Sequence, residues 1–256
     1  MSNYGYPAHN VVPQGSDDPR KQMLSEGEAT DRGLKIGNFE LSNSQLAVGG
    51  GLLGTAAAIG VGAFAFDKYQ DSKENKAEQE WGAQNWEQDA HRRQGEYLEA
   101  VKANKTLPPV QWVLTEGNSI PQGAIPGGKD VDGTTLYIAR AFHNGGVHIG
   151  KASSKLKDGA HISYSGKEIA VQKYEILLGF ENAVRWIDGE GRLNKRDYKM
   201  VEGGRESDGT PIYIGQAHLH GAVTPGKVGE SIENGCSVAF DDDEKFEKHY
   251  RFLTYA

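Results

Sequence analysis

A duplication constrains this chain more than any other feature. Gly128 to Ala152 (GKDVDGTTLYIARAFHNGGVHIGKA) aligns without gaps with Gly204 to Val228 (GRESDGTPIYIGQAHLHGAVTPGKV), and 11 of the 25 positions are identical. The offset is 76 residues, and the same offset pairs Glu168 with Glu244, Tyr174 with Tyr250 and Leu177 with Leu253. Trp112 and Trp186 open the two units with a two-residue slip. A unit this short is marginal by itself and gains stability by burying its apolar face against its copy. The expectation is one domain over 107–256, with repeats at about 110–180 and 184–256 packed about a pseudo-twofold axis.

Each unit reads as β structure. Asp132-Gly133 and Asp208-Gly209 stand just before alternating runs, Leu136 to Arg140 and Ile212 to Gln216. Asp-Gly ahead of such a run signals a tight turn, which requires positive φ. His161 to Tyr164 and Ser237 to Phe240 alternate again, and Gln172 to Leu178 and Lys248 to Tyr255 supply a last strand in each unit. The fold class is all-β for this domain. Tyr137 and Tyr213 hold identical places and suit either a sugar face or an inter-unit contact. Cys236 aligns with Ala160, a small position that argues for packing.

The chain before residue 107 has a different character. Residues 1–45 are polar and lack sustained periodicity, which predicts a disordered tail. The opening MSNYGYPAHN shows no basic stretch followed by an apolar one, so no cleavable signal peptide is expected, and the localisation expected is cytoplasmic or membrane-associated. Residues 46–66 (LAVGGGLLGTAAAIGVGAFAF) carry no charge and include six Gly and six Ala. That length just spans a hydrocarbon core as a helix. Gly50, Gly54, Ala58 and Gly62 form a small-xxx-small strip that lets two helices approach closely. The segment reads as a membrane or oligomerisation helix, with membrane contact and a homo-oligomer as its consequences; a linker is the other reading. Gly49, Gly51 and Gly54 spell G-x-G-x-x-G, but no strand long enough precedes them and Glu74 lies in a charged helical stretch, so a dinucleotide site is rejected. Residues 67–106, dense in Glu, Lys, Gln and Ala, read as an exposed polar helical stalk stopped by Leu107-Pro108-Pro109.

Composition removes several function classes. A net charge of −7 argues against nucleic acid as a partner. A single cysteine rules out an internal disulfide and any zinc module built on two or more cysteines. Asp241-Asp242-Asp243-Glu244 aligns with Ser165-Gly166-Lys167-Glu168, a turn with one acid, so it reads as a solvated hairpin tip rather than a calcium loop. Asp130-Val131-Asp132-Gly133 resembles part of an EF-hand loop, but position 1 would be Gly128 and position 12 Ala139, so the ligand set fails, and His143, His148, His218 and His220 read as ordinary strand or loop histidines. No nucleophile elbow, zinc-protease or phosphate-loop motif is present, so no enzyme and no cofactor are expected.

The ordered set of motifs resembles a known family. Trp, then G-x-D/E-x-D-G-x-x-L/I-Y-I-x-x-A, then G-x-V-x-x-G-K, then a late Glu and Y-x-x-L, is similar to the DM9 repeat, found in tandem in invertebrate and fungal proteins. The resemblance covers residues 110–256. It implies a mannose-binding lectin in which an acidic residue before the Asp-Gly turn and the Lys of the Gly-Lys motif hold the sugar. Those positions are Asp130 with Lys151 and Glu206 with Lys227, both separated by 21 residues. Glu206 is one methylene longer than Asp130, and Ile149 stands where the second unit has Pro225. A carboxylate and an ammonium can read two adjacent hydroxyls without a metal. The expected partner is a mannose-type glycan. The alternative is a membrane-associated structural or stress-response interaction protein with a degenerate sugar site.

Overall fold

The computed structural model describes residues 33–36, 39–42, 63–195 and 197–256. The first repeat supplies β3 (Val110–Glu116), β4 (Pro126–Lys129), β5 (Thr135–His143), β6 (Gly146–Ala152), β7 (Ala160–Tyr164), β8 (Lys167–Val171) and β9 (Lys173–Gly179). The second supplies β10 (Val184–Glu190), β11 (Glu202–Arg205), β12 (Pro211–Leu219), β13 (Ala222–Val228), β14 (Cys236–Phe240), β15 (Asp243–Glu247) and β16 (His249–Tyr255). The Asp-Gly pairs make the expected turns into β5 and β12, with Gly133 and Gly209 at φ +82° and +87°.

All fourteen strands join one sheet in the order β10-β16-β12-β11-β6-β7-β8-β15-β14-β13-β4-β5-β9-β3, and extra β5–β6 and β12–β13 pairings curl it into a β-barrel. Replacing each strand by its counterpart in the other repeat returns the same order reversed. That is the signature of a pseudo-twofold axis, which passes beside the Lys167–Asp243 pairing of β8 with β15. The repeats also interlock. Strand β4 pairs with its own β5 and crosses to β13 at Lys129–Val223, while β11 crosses to β6 at Arg205–Val147.

The crossings explain an invariant of the duplication. A Cβ on Gly128 would overlap the Val223 carbonyl oxygen, and one on Gly204 would overlap that of Val147. Both atoms are backbone, so neither can swing aside. Gly204→Ala is expected to lower unfolding stability by about 2 kcal/mol in urea denaturation. A loss of a few tenths would mean that the crossing strands can separate freely.

The central core is made of equivalent pairs. Ile138 and Ile214, Leu177 and Leu253, and Ile125 and Val201 meet in one buried cluster with Trp112, Ile149 and Ile212. Each buried Ile or Leu contributes roughly 2 kcal/mol that a lone repeat would forgo. Satellite clusters lie under each repeat, and Cys236 is fully buried in the second, where burial pushes its thiol pKa well up.

The structure adds two details to the N-terminal part. The helix α1 runs over Ala63–Lys102, but it is not a free stalk. Trp86, Ala90, Gln94, Tyr97 and Val101 fall four, four, three and four residues apart and are buried against the first repeat. Within the tail expected to be disordered, β1 (Gly33–Ile36) and β2 (Phe39–Ser42) pair as an antiparallel hairpin. The sequence alternates Leu34, Ile36 and Phe39, Leu41 across Gly-Asn, a two-residue hairpin pattern. Most of the glycine-rich segment, residues 46–62, lies outside the described residues. Among the described residues no helix is long and apolar enough to cross a membrane.

Candidate functional site

Each Gly-Lys lysine sits near the end of a strand gripped on both sides. Lys227 of β13 lies opposite Ile214 of β12 and Ser237 of β14, and Lys151 of β6 lies opposite Ile138 and His161. Their ammonium groups emerge where the two repeats meet. Lys227 lies 5.7 Å from the ring of Tyr164 in the first repeat, and Lys151 lies 5.9 Å from the ring of Phe240 in the second. Tyr164 and Phe240 are equivalent residues, so each lysine is completed by the opposite repeat.

The surroundings of the two lysines differ. Lys227 Nζ is 3.8 Å from Glu206 Oε1, 3.7 Å from Glu244 Oε1 and 3.4 Å from His148 Nδ1. These are long contacts, and ordinary hydrogen bonds from nitrogen are 2.7–3.2 Å. The ammonium is therefore close to two carboxylates while its N–H bonds are only loosely taken. Glu244 is fixed by the Ser237 hydroxyl at 2.6 Å and by the Gly166 amide at 2.8 Å, across the repeat boundary. Because Ser237 donates to Glu244, Ser163 donates in turn to Ser237, at 2.6 Å. Tyr164, Glu206, Lys227, Glu244 and Phe246 help line an open hollow of about 600 Å³.

Lys151 is engaged. It donates to the Ala239 carbonyl at 2.8 Å and pairs with Glu168 Oε1 at 3.0 Å. The same carboxylate is held at 2.6 Å by His161, whose far nitrogen meets Asp158 at 2.9 Å. The hydrogen bond to Glu168 raises the His161 pKa, with Asp158 adding to the effect. Burial pushes the Glu168 carboxyl up, but His161 and Lys151 together outweigh it and hold the group below its ordinary range. Asp130 does not join this network. Its carboxylate accepts from the Val131 amide at 2.7 Å, and no ion pair within 4.0 Å links it to Lys151.

The structure thus brings Glu206 to Lys227 and leaves Asp130 apart from Lys151. The extra methylene of Glu206 marks the side chain that reaches. Glu168, Glu244, Tyr164 and His148 complete the arrangement without having been singled out as site residues. Glu168 and Glu244 carried a signal, since each follows its lysine by 17 residues. Tyr137 and Tyr213 lie away from the lysines. Tyr137 packs on the first core cluster, and the Tyr213 hydroxyl meets Lys195 at 3.0 Å.

A larger cleft of about 1210 Å³ lies between α1 and the seam of β3 with β11. Arg93 and Arg140, which line it, both bind the buried carboxylate of Glu175. It has no symmetric counterpart, since α1 precedes only the first repeat.

A family model for the DM9 repeat matches residues 74–158 and 130–246. The chain belongs to the DM9 repeat family. DM9 repeats form a binding, lectin-type family rather than an enzyme family, and membership points to a carbohydrate-binding role in general. Among solved structures, the nematode sperm cell motility protein MFP2B is similar, with a TM-score of 0.44 and 13% identity over 62% of this chain and 51% of that one. The DM9 chain thus spans about half of that protein's length. No curated protein matches it.

Proposed function

We propose that the protein is a metal-independent lectin for mannose-type sugars, and that the second repeat holds the sugar through Glu206, Lys227 and Glu244. The observation that carries this reading is the loosely engaged Lys227 ammonium, set between two carboxylates and facing an open hollow. Carboxylate oxygens accept from two hydroxyls, and the ammonium donates to the oxygens of the same pair. In the first repeat Lys151 is spent on Glu168 and the Ala239 carbonyl while Asp130 stands apart, so Asp130 and Lys151 form the weaker partner site.

The test is calorimetric titration of the full chain with mannose, in parallel with Lys227→Met and Lys151→Met. Hydrogen bonds to charged groups contribute about 1.5–3 kcal/mol, so Lys227→Met should weaken binding roughly tenfold to a hundredfold. Lys151→Met should change it little, and EDTA should have no effect. Loss of binding in Lys151→Met alone would move the site to the first repeat. A folded protein that binds no mannose would end the lectin reading.

A further inference from the structure

The second-repeat hollow extends beyond the three groups that would hold one sugar. Phe246 follows Glu244 by two residues on β15, so both side chains leave the same face of the strand, roughly 7 Å apart. Phe246 is 45% exposed, an unusual state for so large an apolar group, and it lines the hollow. Ser231 and Asn234 line the hollow as well.

The first repeat has different side chains at the equivalent places. Ala170 occupies the place of Phe246, which removes the aromatic surface. Lys155 and Asp158 occupy the places of Ser231 and Asn234, and both are tied internally, Lys155 to Asp132 at 2.5 Å and Asp158 to His161 at 2.9 Å. The second repeat therefore differs from its copy at the places of Phe246, Ser231 and Asn234. At these three places it carries neutral polar groups and an exposed ring, while its loop charges, Glu230 and Glu233, are paired with Lys195 and Arg192.

We propose that Phe246 floors a second subsite, with Ser231 and Asn234 at its edge, so that the site takes a neutral oligosaccharide of at least two units. The inference rests on the lectin reading above. The apolar face of the outer pyranose covers the ring, and its hydroxyls meet Ser231 and Asn234. Neutrality follows from the lining, where Glu206 and Glu244 outnumber Lys227, Glu233 being paired with Arg192, and would repel uronic or sulfated sugars.

The experiment titrates the full chain with mannose, an α-linked mannotriose and a galacturonic acid trimer. Mannotriose should bind at least tenfold tighter than mannose, more than the threefold that three equivalent sugars supply statistically, and the acidic trimer should not bind. Phe246→Ala should abolish the mannotriose advantage and leave mannose unchanged, and Phe246→Tyr should keep it. Equal affinity of the unaltered protein for mannose and mannotriose would overturn the subsite while sparing the lectin reading. An advantage that survives Phe246→Ala would also overturn the subsite. Failure to bind either neutral sugar would overturn the lectin reading itself.

Discussion

Replacing Glu175 by Gln is expected to cost about 3–5 kcal/mol of folding stability. Glu175 of β9 is fully buried, and its two oxygens bind Arg93 of α1 at 2.8 Å and Arg140 of β5 at 2.7 Å. Arg140 also donates to the Gly203 carbonyl at 2.8 Å and stacks over Trp112 at 4.4 Å. One carboxylate therefore ties the helix, the first repeat and β11 of the second. Removing its charge strands two guanidinium groups, of which Arg140 is so buried that desolvation already lowers its pKa against the pull of Glu175. The places of Glu175 and Arg140 are held in the second repeat by Arg251 and Gln216, joined at 3.1 Å, so a glutamine at the Arg140 place is compatible with this fold. Adding Arg140→Gln to Glu175→Gln should then recover part of the loss, and Gln216 supplies the precedent. Urea denaturation of both variants, with limited proteolysis over 78–93 to follow α1, decides the matter. A loss below 1 kcal/mol for Glu175→Gln would show that the network carries little of the helix docking.

The duplication made much of this legible in advance. Identical Asp-Gly turns, alternating runs and the 76-residue offset led to the strands, the pseudo-twofold axis and both Gly-Lys lysines. Three things could not be read that way. The crossing of β4 and β11 between repeats is invisible, because Gly128 and Gly204 look like any other glycines until a foreign carbonyl lies against them. The rings beside the lysines come from the opposite repeat, so no spacing within one unit reveals Tyr164 against Lys227. The docking face of α1 was obscured differently. Its strip covers only residues 86–101, and a pattern sought over the whole polar stretch is diluted by the charged turns before it. The difference between the two sites was partly visible as Asp against Glu. Its consequence was not, because reach depends on where the turn backbone stands.

His148 gives the second large effect, and it separates stability from binding. The residue is fully buried beneath the site, with Nε2 donating to the His143 carbonyl at 3.2 Å. That leaves Nδ1 as an acceptor, and it faces Lys227 at 3.4 Å, Glu206 at 3.8 Å and the edge of the Tyr164 ring. Burial first, and the Lys227 charge second, push its pKa down to about 3. The unfolded chain takes up this proton near the ordinary value of 6.5, and the folded chain refuses it until about 3. Between those values the unfolded state binds more protons, so stability falls as pH falls, by about 1.4 kcal/mol per pH unit. His161 acts in the opposite sense, since its raised pKa favours the fold as pH drops through that raised value. Comparison with a variant isolates the His148 contribution. His148→Gln places an amide that donates to the His143 carbonyl and accepts from Lys227, the pattern of the neutral imidazole. Urea midpoints at pH 7, 6 and 5 should converge as the unaltered protein loses stability and His148→Gln loses about 1 kcal/mol per pH unit less. Parallel losses would show that His148 is not held neutral. Because the folded imidazole stays uncharged between pH 7 and 5, the charge facing Lys227 from His148 does not change there, and under the proposed lectin function His148 is expected to add no pH dependence to sugar affinity over that range.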